Sequence, residues 1–139
     1  MSDLFEFGRT ILESQPFSVL LGTQLELFEP GTAVLTLVIR EELKQQHGFV
    51  HGGVVSYLAD NALTFAGGSV LGDSVTSEYK INYLRPAIGK RLVAKATVVS
   101  SGRSQAVCQC TVIAVGDEGE RTVAVAQGTI NKVEANAGR

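Results

Sequence analysis

The sequence has no excess of positive charge. Its 12 Lys and Arg stand against 14 Asp and Glu, a formal charge of −2 with a pI near 5.7, and so offer no basic field to a nucleic acid. No apolar run reaches the ~18 residues that suggest a membrane-spanning helix. The stretch MSDLFEFGRTILESQPF has neither the basic leader nor the apolar core of a signal peptide. The expectation is a soluble, cytoplasmic protein with no nucleic-acid or membrane partner. Cysteine is scarce: Cys108 and Cys110 lie two apart in a strand-like run, sharing a face but diverging along it. Two buried, reduced thiols are expected. Repeats, linkers and low-complexity stretches are missing too, which favours one domain over residues 1–139, and 45 % apolar residues suffice for a core.

What is present reads as a short helix, a long helix and many strands. Leu4, Phe7, Ile11 and Leu12 give residues 4–13 the spacing of an amphipathic helix, with Pro16 placed to end it. Strand-like runs follow at 20–28 and 33–39, turning at Glu29-Pro30-Gly31-Thr32. Residues 54–69 are apolar at nearly every angular position, so that helix must be surrounded by protein, and Gly67-Gly68 suits its C-terminal end. Val75, Ser77, Tyr79, Ile81 and Tyr83 alternate with polar neighbours, the period of a strand with one buried face. Further strands are expected at 92–99, 105–115 and 122–130. Short, turn-linked strands favour antiparallel pairing. The sum is an α+β architecture: five or six antiparallel strands curled around one long central helix, plus a short N-terminal helix.

One residue conflicts with this pattern. Asp60 lies inside the apolar helical run VVSYLADNALTF. Ser56, Asp60 and Thr64 follow at i, i+4 and i+8 and form one polar stripe. Three readings stand: a satisfied buried polar group, a catalytic carboxylate, or a shallow exposed face. At the start of the helix, Gly52-Gly53 permits close approach of a ligand to free N–H groups, as an oxyanion site requires. Gly52 and Asp60 are eight residues apart, roughly 12 Å along a helix at ~1.5 Å per residue. A reacting atom must lie about 3 Å from both base and oxyanion donor. If both act, they must come from two chains with their helices antiparallel about a two-fold axis.

The combination of HGFVHGGVVSYLAD with the later NYLRPA resembles the hotdog-fold acyl-CoA thioesterases. Within them it is most similar to the phenylacetic-acid-degradation and hydroxybenzoyl-CoA thioesterase branch. The resemblance runs over about 20–130 and implies a hotdog fold. It also implies Asp60 as the essential carboxylate and Gly52 as the N–H that polarises the thioester carbonyl. His51 would help position the carbonyl or the loop, Gln45 would lie near the carbonyl or the attacking water, Thr64 would be a further hydroxyl of the site, and Ser77 would orient water. A homo-oligomer is implied, a dimer at least, with a homotetramer built as a dimer of dimers as the family's pattern.

The chemistry agrees. A thiolate leaves readily, its conjugate acid titrating at about 8.5 in the cysteine model, so one carboxylate and one backbone donor suffice. No G-x-S-x-G nucleophile signature is present. No cofactor is expected beyond the coenzyme A carried by the substrate, whose phosphates need cations or N–H donors. The candidates are Arg85, Lys90, Arg103 and Ser104. Phe49, Tyr57, Leu58 and Phe65 are candidate walls of an apolar acyl pocket, each equally suited to the core. His47 and His51 lack the H-E-x-x-H helical pattern, so no metal is expected. The expected activity is hydrolysis of an aryl- or medium-chain acyl-CoA. The alternatives are a non-catalytic acyl-CoA-binding module and a hotdog enoyl-thioester hydratase or dehydratase, for which Glu42 and His47 have a superficially suitable spacing.

Overall fold

Helix α3 (Gly52–Leu71) is the axis on which the rest is assembled, and it touches all six strands. The computed structural model describes residues 2–134. Helices α1 (Asp3–Glu13) and α2 (Pro16–Leu21) precede strands β1 (Gln24–Glu29) and β2 (Thr32–Val38). A single 3-10 turn (Glu41–Leu43) leads to α3, and β3 (Ser74–Tyr83), β4 (Arg91–Ser101), β5 (Gln105–Gly116) and β6 (Gly119–Lys132) follow. The strands form one antiparallel sheet in the order β1-β2-β4-β5-β6-β3. The expected central helix, N-terminal helix and six-stranded antiparallel sheet are all present. No described helix is long and apolar enough to cross a membrane.

The sheet encloses α3 because its inner positions are small or aliphatic. Leu35, Ala94, Val112, Ala124 and Ile130 are fully buried, as are Leu58, Ala59, Ala62, Leu63 and Ala66 of the helix. Gly67 is a contact residue. A Cβ there would lie 2.8 Å from Ile130, so glycine lets helix and sheet meet closely.

Three local expectations are corrected. The first helix stops at Glu13, and Pro16 opens α2 rather than closing α1. Proline suits the first helical position because it has no N–H to leave unpaired there. Leu20 and Leu21 therefore belong to α2, and Gly22, in the left-handed region at φ 77°, ends it before β1. Helix α3 also runs through Gly67-Gly68 to Leu71 and stops at Gly72, φ 89°, whose N–H bonds the Gly68 carbonyl. Tertiary contact with Ile130 outweighs the weak helix propensity of the two glycines. Finally, β3 does not alternate simply, because its register slips between Thr76 and Glu78.

Both cysteines are free and buried on one face of β5. Burial pushes Cys108 from the ordinary 9.0 up to about 11 and Cys110 up to about 12. Between pH 9 and about 11 the unfolded chain releases thiol protons that the native chain keeps. Stability is therefore unaffected by these groups below pH 9 and falls above it, by at most about 1.4 kcal/mol per thiol per pH unit. Urea titrations from pH 8 to 11 should show this alkaline slope, and the Cys108→Ala/Cys110→Ala variant should lack that increment.

Candidate active site

The slip in β3 builds the site. One extra residue at Ser77 shifts the phase of the strand, so Thr76, Tyr79 and Tyr83 all face α3 while Val75 is left exposed. Gly128 on β6 makes room for the bulge. A Cβ there would lie 2.6 Å from that of Tyr79 and 2.7 Å from the Glu78 carbonyl oxygen. The three hydroxyls then meet the polar stripe of the helix in order. Thr76 Oγ1 donates to Asp60 Oδ1 at 2.6 Å, Tyr79 Oη lies 2.5 Å from Ser56 Oγ, and Tyr83 Oη donates to the Gly52 carbonyl at 3.1 Å. Thr64 Oγ1 donates to the Asp60 backbone carbonyl at 2.9 Å and sits 2.7 Å from Thr76 Oγ1.

Asp60 is half-buried, and among the described residues its Oδ2 has no hydrogen-bond partner. The carboxylate is thus anchored through one oxygen while the other stays accessible.

The N-terminus of α3 is shaped by His51 and the loop before it. His51 caps the helix, its Nδ1 accepting from the Gly53 N–H at 2.8 Å. That acceptor role places the proton of the neutral ring on Nε2. Gly52 is the first helical residue, and its N–H has no partner among the described residues. Lys44 and Val50 form a β-bridge that closes the loop, and the Gln45 N–H donates to the Phe49 carbonyl at 2.9 Å. Gln45 Oε1 accepts from the His47 N–H inside that loop, leaving its amide nitrogen without a protein partner among the described residues. Phe49, Gly52, Tyr83 and Arg85 line a cleft of about 340 Å³ at this end.

The other expected site residues are spread out. Ser77 is exposed in the bulge and its hydroxyl makes no hydrogen bond among the described residues; the hydroxyl on Asp60 is that of Thr76. Arg85 donates to the Thr122 carbonyl at 2.7 Å beside the Gly52 cleft. Lys90 is paired with Asp117 at 2.8 Å on the β5–β6 hairpin. Arg103 and Ser104 are exposed in the β4–β5 turn, where the Gly102 N–H is already given to the Gln105 carbonyl. That turn adjoins Lys132, which pairs with Ser74, whereas Arg85 adjoins the Tyr83 end of β3. Nine residues of β3 separate the two ends, about 30 Å at ~3.3 Å per residue. One chain therefore does not bring Arg85 and Arg103 together.

Two candidate walls of the acyl pocket are corrected by their contacts. Leu58 is fully buried core. Tyr57 closes a polar cluster between α2 and α3, donating to Ser18 Oγ at 2.6 Å and meeting Thr23 Oγ1 at 2.7 Å. Glu42 is 3.9 Å from Arg40 and His47 stacks on Phe49, so neither forms the acid–imidazole pair of a hydratase. No group of three or more His, Cys, Asp or Glu among the described residues is placed to hold a metal ion. Thr76, Tyr79 and Tyr83 are the site residues that sequence reasoning missed. Their hydroxyls were visible, but the bulge that aligns them left no local signal.

The sequence model of the thioesterase superfamily matches residues 47–120, which span both the Gly52 end and Asp60. The chain is 28 % identical over 127 residues to the acyl-coenzyme A thioesterase PaaI of Escherichia coli, covering 91 % of this chain and 89 % of that one. To the 1,4-dihydroxy-2-naphthoyl-CoA hydrolase of Listeria monocytogenes it is 29 % identical, covering 79 % and 89 %. The crystal structure of a thioesterase family protein from Silicibacter pomeroyi superposes with a TM-score of 0.86 at 35 % identity, covering 88 % of this chain and 93 % of that one.

Because Thr76 is the only side chain of the described residues bonded to the Asp60 carboxylate, Thr76→Val should lower stability by about 1–2 kcal/mol, a hydrogen bond to a partly exposed charge. Urea denaturation checks this, and an unchanged midpoint would remove Thr76 as the anchor.

Proposed function

The chain belongs to the thioesterase superfamily and is a thioester hydrolase, and on that premise we propose that it converts an aryl- or medium-chain acyl-CoA to the free acid and CoA. The observation that carries the assignment of roles is the half-free Asp60 carboxylate on a helix whose first N–H is unpaired. Asp60 either takes a proton from a water whose oxygen attacks the thioester carbon, or attacks that carbon itself to give an anhydride that water then hydrolyses. The Gly52 N–H stabilises the oxyanion, the C–S bond breaks and the CoA thiolate leaves. His51 and Gln45 shape the carbonyl end, and Thr64 helps hold the carboxylate end. A pure binding module is disfavoured, since binding needs no uncompensated carboxylate beside an electron-rich thioester oxygen.

The two halves of the chemistry belong to different chains. Strand β3 is an edge of the sheet, and along its outer side it pairs with no strand among the described residues. Such an edge is a template for another strand. Two copies joined antiparallel through β3 set the Tyr83 end of one against the Ser74 end of the other. Gly52 and Arg85 of one chain then approach Asp60 and Arg103 of its partner, and Arg85, Arg103 and Ser104 surround the CoA phosphates. Lys90, held by Asp117, is the weakest member of that set. A tetramer of two such dimers, a cytoplasmic location and the lack of any further cofactor complete the proposal.

Thiol release from a panel of acyl-CoAs is the direct test. Asp60→Asn should lose roughly 100-fold or more, and equal activity would remove Asp60 from the mechanism. Gly52→Pro deletes the N–H at a position where proline fits, because His51 already has the extended backbone (φ −59°, ψ 135°) that precedes proline. It should cost on the order of 100-fold, whereas Gly52→Ala, which keeps the N–H, should cost far less.

If each site draws on two chains, mixing and refolding the two inactive variants restores one intact site per mixed dimer, about a quarter of wild-type activity. No recovery would place both groups in one chain.

A further inference from the structure

The peptide unit joining Gly52 to Gly53 is gripped at both of its polar atoms. Its N–H, that of Gly53, is taken by His51 Nδ1 at 2.8 Å, and its carbonyl, that of Gly52, accepts from Tyr83 Oη at 3.1 Å. The first grip is local. The second reaches across from the end of β3, 31 residues away in the chain. We propose that Tyr83 is a positioning residue for hydrolysis, its hydroxyl fixing the start of α3 so that the Gly52 N–H is held in the direction the oxyanion requires. The inference rests on the thioesterase reading, in which that N–H stabilises the oxyanion, and adds to it the residue that holds the donor.

Three observations support it. The first is freedom. Two glycines in succession leave a helix start that no Cβ restrains. The Gly52 N–H shares a planar peptide unit with the His51 carbonyl, which accepts from the Val54 N–H at 2.9 Å. The helix therefore holds that unit, while His51 and Tyr83 hold the next. With both units fixed, the two dihedrals of Gly52 are fixed, and so is the direction of its N–H.

The second is the anchor. Tyr83 pairs with Ala124 of β6, and directly after it the Leu84 N–H donates to the Val123 carbonyl at 2.8 Å. The hydroxyl thus stands on a strand end that is itself tied down. The Tyr83 ring lies 3.6 Å from where a Cβ on Gly52 would be, an ordinary contact that phenylalanine would keep.

The third is exposure. Tyr83 is 54 % exposed, so water can satisfy its hydroxyl and burial does not compel the bond to Gly52. Removing the hydroxyl strands no buried group on the tyrosine, and the fold survives the substitution.

Tyr83→Phe removes the hydroxyl and keeps the ring. Steady-state thiol release is measured with acetyl-CoA, hexanoyl-CoA and phenylacetyl-CoA. The variant should lower kcat about three- to ten-fold, on the order of one neutral hydrogen bond, and leave KM unchanged. In a Gly52→Pro background, which lacks the N–H being held, adding Tyr83→Phe should change kcat by less than about two-fold. Amide hydrogen exchange followed by NMR reads the grip without turnover. The Gly53 N–H should exchange at least about five-fold faster in Tyr83→Phe, with the amides in the middle of α3 unchanged.

Wild-type kcat in Tyr83→Phe overturns the positioning role while leaving the thioesterase standing. A loss of equal size in both backgrounds also overturns it, because the hydroxyl then acts independently of the N–H. Unchanged exchange at Gly53 overturns the grip itself. Faster Gly53 exchange in a protein that releases thiol from none of the esters supports the grip and overturns the catalytic roles assigned to Gly52 and Asp60.

Discussion

Helix α3 is enclosed by a sheet along most of its surface and still carries a carboxylate, and the ladder of β3 hydroxyls is what makes those two facts compatible. Ser56, Asp60 and the Gly52 carbonyl each find a partner on Tyr79, Thr76 and Tyr83. Those partners replace hydrogen bonds to water that the half-buried stripe would otherwise have to make, each contributing about 0.5–1.5 kcal/mol. The ladder depends on the extra residue at Ser77, and the extra residue depends on the missing side chain of Gly128. A glycine on β6 thus helps determine how Asp60 is held.

The same geometry sets a division of labour. The helix offers an N–H with no partner among the described residues at one end and an anchored carboxylate two turns later, too far apart to act on one carbonyl. The strand facing them lies at the edge of the sheet, with no outer strand among the described residues. Both features are on the same side of the molecule, so the proposed two-fold association would complete the sheet and the site together.

The N-terminal helices have different jobs despite their adjacency. Helix α2 is tied to α3 by the polar cluster of Gln15, Ser18, Thr23, Tyr57 and Asn61, whose hydrogen bonds close among themselves. Helix α1 is held by apolar contacts and by the absent side chain of Gly8, and leaves an apolar groove open beside Thr64. One helix is fastened by polarity and the other by shape.

The sequence by itself determined the parts that follow from periodicity. An all-round apolar helix must be enclosed, turn-linked alternating runs must pair as antiparallel strands, and a lone aspartate in such a helix demands an explanation. The eight-residue spacing of Gly52 and Asp60 already excluded a site made by one helix. Tertiary structure alone decided that Gly67 is a contact rather than a terminus, that Pro16 starts a helix, that Tyr57 is tied into structure, and that Thr76 rather than a serine holds Asp60. The physical reasons are two. Each depends on an atom from a segment distant in sequence — Ile130, the α2–α3 cluster, the bulge across from Gly128 — or on competition between equally permitted local geometries, and neither leaves a trace in local spacing.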